Sequence, residues 1–187
     1  VKGISAAPPA CAAWAKRAPS AAPSPPLAEA IVERDAEKRD ATLSAIEVKS
    51  PAGERAYVRA LRADLAPVEC ADALADAHLG ALAKASGPHE HTLVGLSLAA
   101  KLARTGLTPP QLGAVREKAK VKEFIQGPLK TWMIEQATAI EQLSLVGRDL
   151  AGYGRGVAAI EAGTAELRLV DNIRSSPTPK EWDAELK

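Results

Sequence analysis

The chain has 187 residues, a formal charge of +1, 47% hydrophobic residues and only 3% aromatics. That length suits one domain, and acids and bases mixed to near neutrality argue against nucleic acid as the main partner, which asks for a basic face. Much of the apolar content is alanine, the strongest helix former, no apolar stretch approaches the ~20 residues of a membrane span, and no β-branched or aromatic run alternates with polar residues. The expectation is an all-α fold, either a helical bundle or an α-solenoid of αα-hairpins, behind an Ala/Pro-rich N-terminal extension.

Residues 1–26 form that extension, with Ala6-Ala7-Pro8-Pro9-Ala10 and Ser20-Ala21-Ala22-Pro23-Ser24-Pro25-Pro26. Its composition is that of a linker, yet Cys11, Trp14 and the stretch Ala12–Ala18 give it the means to dock. The only other cysteine is Cys70. In an exported protein the two would pair and tether the extension; in a cytosolic one they would be reduced thiols. Spacing alone leaves both open.

Residues 27–176 read as the helical domain. A first helix is expected over Leu27–Ile46, its dense charge run Glu33–Asp40 lying on a solvated face laced by i,i+4 pairs. A second runs over Glu54–Leu65 with Tyr57, Val58, Leu61 and Leu65 inward, and a third over Val68–Ala85 with Cys70, Leu74, Ala77 and Ala81 on one face. The fourth, Glu90–Thr105, is apolar around most of its circumference through Leu93, Leu96, Ala100, Ala103 and Val94, Leu98, Leu102, which makes it central. Gly106 closes it.

Thr108-Pro109-Pro110-Gln111 reads as a capping box opening a fifth helix, with Leu112, Val115 and Ala119 inward. Gly127-Pro128 starts the longest element, whose heptad seam is Leu129, Met133, Gln136, Ile140, Leu143, Gly147 and Leu150, Gln136 being its polar exception. Gly152, Gly154 and Gly156 around Tyr153 mark a turn. The last complete helix, 156–174, carries a wide apolar face: Ile160, Gly163, Leu167, Val170 with Ala158, Ala162, Ala165, Leu169, Ile173. Residues 128–176 thus form an αα-hairpin. Residues 177–187 begin a following helix at Thr178-Pro179-Lys180-Glu181, where Trp182 and Leu186 start an apolar side that suits contact with a partner. With Val1 in place of an initiator Met, the chain reads as part of a longer helical protein.

No catalytic, cofactor or metal constellation stands out. His89 and His91 diverge by roughly 200° on a helix, and no further ligands occur at zinc spacing. Cys70 and His78 lie about 12 Å apart along one helix, too far for a nucleophile and its base. The glycines of 152–156 join two helices rather than a strand to a helix, so a phosphate loop is not expected. Arg116, Lys118, Lys120 and Lys122, diluted by Glu117 and Glu123, read as a solvated helix face. Trp132 reads as packing.

Residues 127–187 carry Gly127-Pro128-Leu129, Trp132, Gln136, Ala139-Ile140, Leu143, Leu150, Tyr153, Val157-Ala158-Ala159, Gly163 and Pro177-x-Pro179. This third of the chain resembles the large tetratricopeptide-like envelope proteins of bacterial gliding-motility machinery. In that family an atypical helical hairpin precedes a Pro-x-Pro break and another helix. The 34-residue tetratricopeptide consensus itself is absent. The resemblance implies a non-enzymatic periplasmic scaffold that binds protein partners or the rest of a longer chain. A regulatory or ligand-sensing helical domain of a larger enzyme is the alternative function, and the cytoplasm the alternative compartment.

Overall fold

The computed structural model of the chain describes residues 1–23, 25–82, 87–112 and 117–175; the side chains of 77–82 lie outside that description. The fold is all-α. Its elements are α1 (Cys11–Lys16), α2 (Leu27–Ile31), α3 (Ala36–Lys49), α4 (Ala52–Asp64), α5 (Ala71–Leu82), α6 (Pro88–Ala103), α7 (Lys118–Phe124), α8 (Lys130–Arg148) and α9 (Gly152–Arg174). No strand forms among the described residues; Ile4 and Thr105 make an isolated bridge.

The fully apolar helix sits in the middle, as its circumference demands. Leu93, Ala99, Ala100 and Leu102 of α6 are wholly buried. One side of α6 packs with α4 and α5 through Ala60, Ala63, Leu74 and Ala75. The other packs with α8 and α9 through Leu98, Leu102, Ile140, Leu143, Ala158, Ala162 and Ala165. Gly95 and Gly154 lie at the crossing of α6 and α9, and a Cβ on either would run into the backbone of the other helix. The small residues therefore set how close these two helices come. Leu143 lies in this second cluster, so Leu143→Ala is expected to cost about 2–4 kcal/mol, read as a lowered denaturation midpoint.

Several boundaries differ from the sequence expectation. The stretch expected as one helix from Leu27 to Ile46 is broken after Ile31, and α3 starts afresh at Ala36. Asp35 causes the restart: its carboxylate accepts from the Glu37 and Lys38 amides, each at 3.0 Å. The bond from the Lys38 amide is the largest cause holding the Asp35 carboxyl below its ordinary value. The charge run is not wholly solvated either, since Asp40 is buried. On α4 it is Val58 that faces inward, while Tyr57 is 39% exposed.

Residues 107–112 are not helical, so the capping-box reading at Thr108 fails. Pro110 disfavours the helical conformation at the preceding Pro109, and the next helix among the described residues begins at Lys118. There Val121 is buried and Ala119 exposed; Val115 lies outside the described residues. Pro128 does not open a helix. Residues Ile125–Leu129 form a π-type turn that carries α7 straight into α8. A widened turn accommodates the missing proline amide without ending the helix.

Gln136, the polar residue of the seam, has a capping role. Its Oε1 accepts from the Gly106 amide at 2.7 Å, at the left-handed turn (φ +69°) that ends α6. Asn172 donates to the Gly106 carbonyl, and Arg168 to the carbonyls of Leu102 (3.2 Å) and Thr105 (3.0 Å). Neighbouring α9 thus bonds the Leu102 carbonyl of the last turn of α6 and the Thr105 and Gly106 carbonyls just beyond it.

The N-terminal extension is docked at several points. Ser5 exchanges hydrogen bonds with Arg104, backbone to backbone and carbonyl to guanidinium, both at 3.1 Å. Cys11 and Cys70 are joined by a disulfide, with Cα atoms 4.8 Å apart. Arg17 stacks on Trp14 and pairs with Asp40 at 3.0 Å. Behind Arg17 lies a network of charges. Arg62 grips Asp40 with two donors (2.8 and 3.2 Å) and reaches Glu47 at 2.7 Å, while Arg59 also pairs with Glu47.

Candidate functional site

Two surface features stand out, and both involve α9. The first is its outer face. The turn expected over 152–156 is tighter than the glycines suggested: α9 already starts at Gly152, itself left-handed at φ +55°. The wide apolar face expected on this helix splits in two. Ala158 and Ala165 face the core at 2% and 0% exposure, whereas Ile160 and Leu167 face outward at 72% and 69%. Alanines go inward because the close crossing with α6 leaves no room for more.

The outward residues have a repeat of their own. Tyr153, Gly156, Ile160, Gly163, Leu167, Val170 and Arg174 follow +3, +4 spacing without a break. That heptad stripe spans about 32 Å at 1.5 Å per residue. A Cβ on Gly156 or Gly163 would meet nothing within 4 Å. Beside the stripe a groove of about 360 Å³ runs between α8 and α9, floored by Gly147, Ala158 and Ala162, with Arg148, Arg155 and Glu166 in its walls.

The second feature is a cleft of about 270 Å³ where α4, α6 and α9 meet. Tyr57, Ala60, Leu61 and Asp64 come from one face of α4, His89 and Thr92 from the first turns of α6, and Tyr153 from the start of α9. The Tyr57 and His89 rings lie 5.0 Å apart, tilted by 48°. The Tyr153 hydroxyl donates to the Asp64 carboxylate at 2.7 Å. That bond first, then burial and the nearby negative charge, push the Tyr153 phenol up from its ordinary 10.0 to about 12. A raised phenol pKa means its stabilisation is complete below the ordinary value and is lost as pH rises through about 12. In an ultraviolet titration of the folded protein, Tyr153 should ionise at about 12, and Asp64→Asn should bring it back toward 10.0.

The other sequence candidates fall as follows. Trp182 and Leu186, the expected partner contact, lie outside the described residues, as does Arg116. Lys118, Lys120 and Lys122 are exposed on α7, Lys120 pairing with Glu117 at 3.2 Å. Trp132 is half-buried. His89 belongs to the cleft, while the carbonyl of His91 lies against Gly154. The His78 side chain is outside the description, and the Cys70 sulfur is bonded to Cys11. Among the described residues no group of three or more His, Cys, Asp or Glu is placed to hold a metal ion. Nor is any helix there long and apolar enough to cross a membrane.

Sequence reasoning missed the cleft. In the sequence Tyr57 falls on an expected helix and Tyr153 in an expected turn, with nothing to bring the two together. Comparison with protein-family models, with curated proteins and with solved structures finds no match.

Proposed function

We propose that this chain is a non-enzymatic helical scaffold module that binds a protein partner through the outer face of α9. The observation that carries the reading is the unbroken heptad stripe from Tyr153 to Arg174, whose large residues face solvent while its alanines fill the core. A repeat of 3.5 residues matches another helix rather than a strand. Open space over Gly156 and Gly163 admits side chains from that helix. Exposed Arg148 and Arg155 at one end of the neighbouring groove, with Glu166 further along, ask for an acidic and then a basic residue on it. The occupant is therefore an amphipathic helix of a partner protein. The disulfide supports an oxidising compartment, as the periplasm of a cell-envelope or motility assembly would be.

A photo-crosslinking residue at Ile160, with another at exposed Glu141 as control, tests this in the native cell. The reading expects one partner, joined at 160 and not at 141, through a peptide with heptad apolar spacing, and lost when Leu167 is changed to Glu. No adduct, an adduct with residues 176–187 of the same chain, or one with a second copy would each overturn it. The cleft favours a second reading, a ligand-sensing domain of a larger protein, which rests on the chemistry below.

A further inference from the structure

The cleft between α4, α6 and α9 has a one-sided inventory of polar groups. Asp64 spends one oxygen on the Tyr153 hydroxyl and keeps its remaining lone pairs. Thr92 spends its proton on the Pro88 carbonyl at 2.9 Å. Among the described residues the lining includes no lysine or arginine, although the chain holds 24 of them. The rest of the wall is Ala60, Leu61 and three rings, those of Tyr57, His89 and Tyr153. Both tyrosines of the chain are spent here.

We propose that this cleft binds a small alkylammonium, its charge facing Asp64 and its carbons lying against the Tyr57, His89 and Tyr153 rings. The faces of aromatic rings attract cations, and a carboxylate at the edge adds a full charge. An anion would find no lysine or arginine and would face Asp64. A neutral ligand of the same shape would draw nothing from that carboxylate, which is exposed and solvated. The cavity of about 270 Å³ falls just below the range of drug-sized sites, which fits a ligand of a few heavy atoms. A free amine and the lysine side chain of a partner present the same group, and the test separates them.

Proton magnetic resonance on the intact chain can follow the rings of Tyr57, His89 and Tyr153. The probes are choline, butylammonium, acetyl-lysine amide, and dimethylbutanol, in which carbon replaces the quaternary nitrogen of choline. Saturable shifts are expected with choline and butylammonium, and binding of dimethylbutanol about tenfold weaker. Asp64→Asn keeps an acceptor for Tyr153, so the fold persists. It should weaken the cations about tenfold and leave dimethylbutanol unchanged. Tyr57→Leu should weaken the cations as well, from the other side of the cleft. Acetyl-lysine amide binding as tightly as butylammonium supports the site with a partner's lysine as the source; binding of the free amines alone supports it with a small molecule. Equal binding of choline and dimethylbutanol, cation binding unaffected by Asp64→Asn, or no saturable shift with any cation overturns the proposal. None of these outcomes depends on the α9 stripe having a partner.

Discussion

Replacing both Cys11 and Cys70 by serine is expected to lower the stability of the folded chain by about 4 kcal/mol. The bond closes a loop of 59 residues, and removing a link of that span returns chain entropy to the unfolded state. Few other contacts hold the middle of the extension. Cys11 lies on the short helix α1, where Trp14 packs on the core, and the polar contacts of Ser5 with Arg104, Arg17 with Asp40 and Ser20 with Ala41 flank it. Urea unfolding with and without reductant checks the figure. The oxidised chain should unfold at clearly higher urea, the reduced chain should match the double serine variant, and intact mass should show the oxidised form two hydrogens lighter. Coincident curves would mean that the extension is held by its polar contacts alone.

The second large effect is expected at Arg62. Its burial disfavours the guanidinium charge, but the hydrogen bonds with Asp40 and Glu47 outweigh this and hold its pKa above the ordinary value. Arg62, Asp40 and Glu47 are all nearly inaccessible. Arg62→Met leaves two buried carboxylates with only Arg17 and Arg59, both partly exposed, so about 3–5 kcal/mol should be lost. Arg62→Lys keeps the charge but cannot fork onto Asp40 while reaching Glu47, so it should recover only part of the loss. Denaturant midpoints of the two variants test the order. A lysine variant as stable as the native chain would show that charge alone, not the fork, holds α3 to α4.

The sequence made the helical class and the centre of the fold readable, because α6 is apolar around its circumference and the α8 seam keeps a strict repeat. What it hid has physical causes. A plain division into apolar and polar counts alanine and isoleucine alike, so the two faces of α9 merged into one. Only the close approach at Gly95 and Gly154 decides that alanines go inward. Asp35 inside a charge run looks like one more surface residue until it caps a helix start. Pro128 looked like a beginning because a π-type turn leaves no mark in composition. The cleft joins residues 57–64, 89–92 and 153, and no local spacing announces a site assembled across 89 residues between Asp64 and Tyr153. Cys11 and Cys70 carried the pair without carrying the bond.

The clip at Arg104 bears on the order of events during synthesis. Ser5 is held by a residue 99 positions later, and Gly3 lies against Glu135 of α8. Residues 3–5 therefore have no docking surface until α6 and α8 have been made. The segment with Cys11 and Arg17 has its partners Cys70 and Asp40 earlier in the chain, whereas contacts as distant as those of Gly3 and Ser5 close slowly. One extension is thus tied down in two stages, its Cys11 segment to the first helices and its residues 3–5 to α6 and α8.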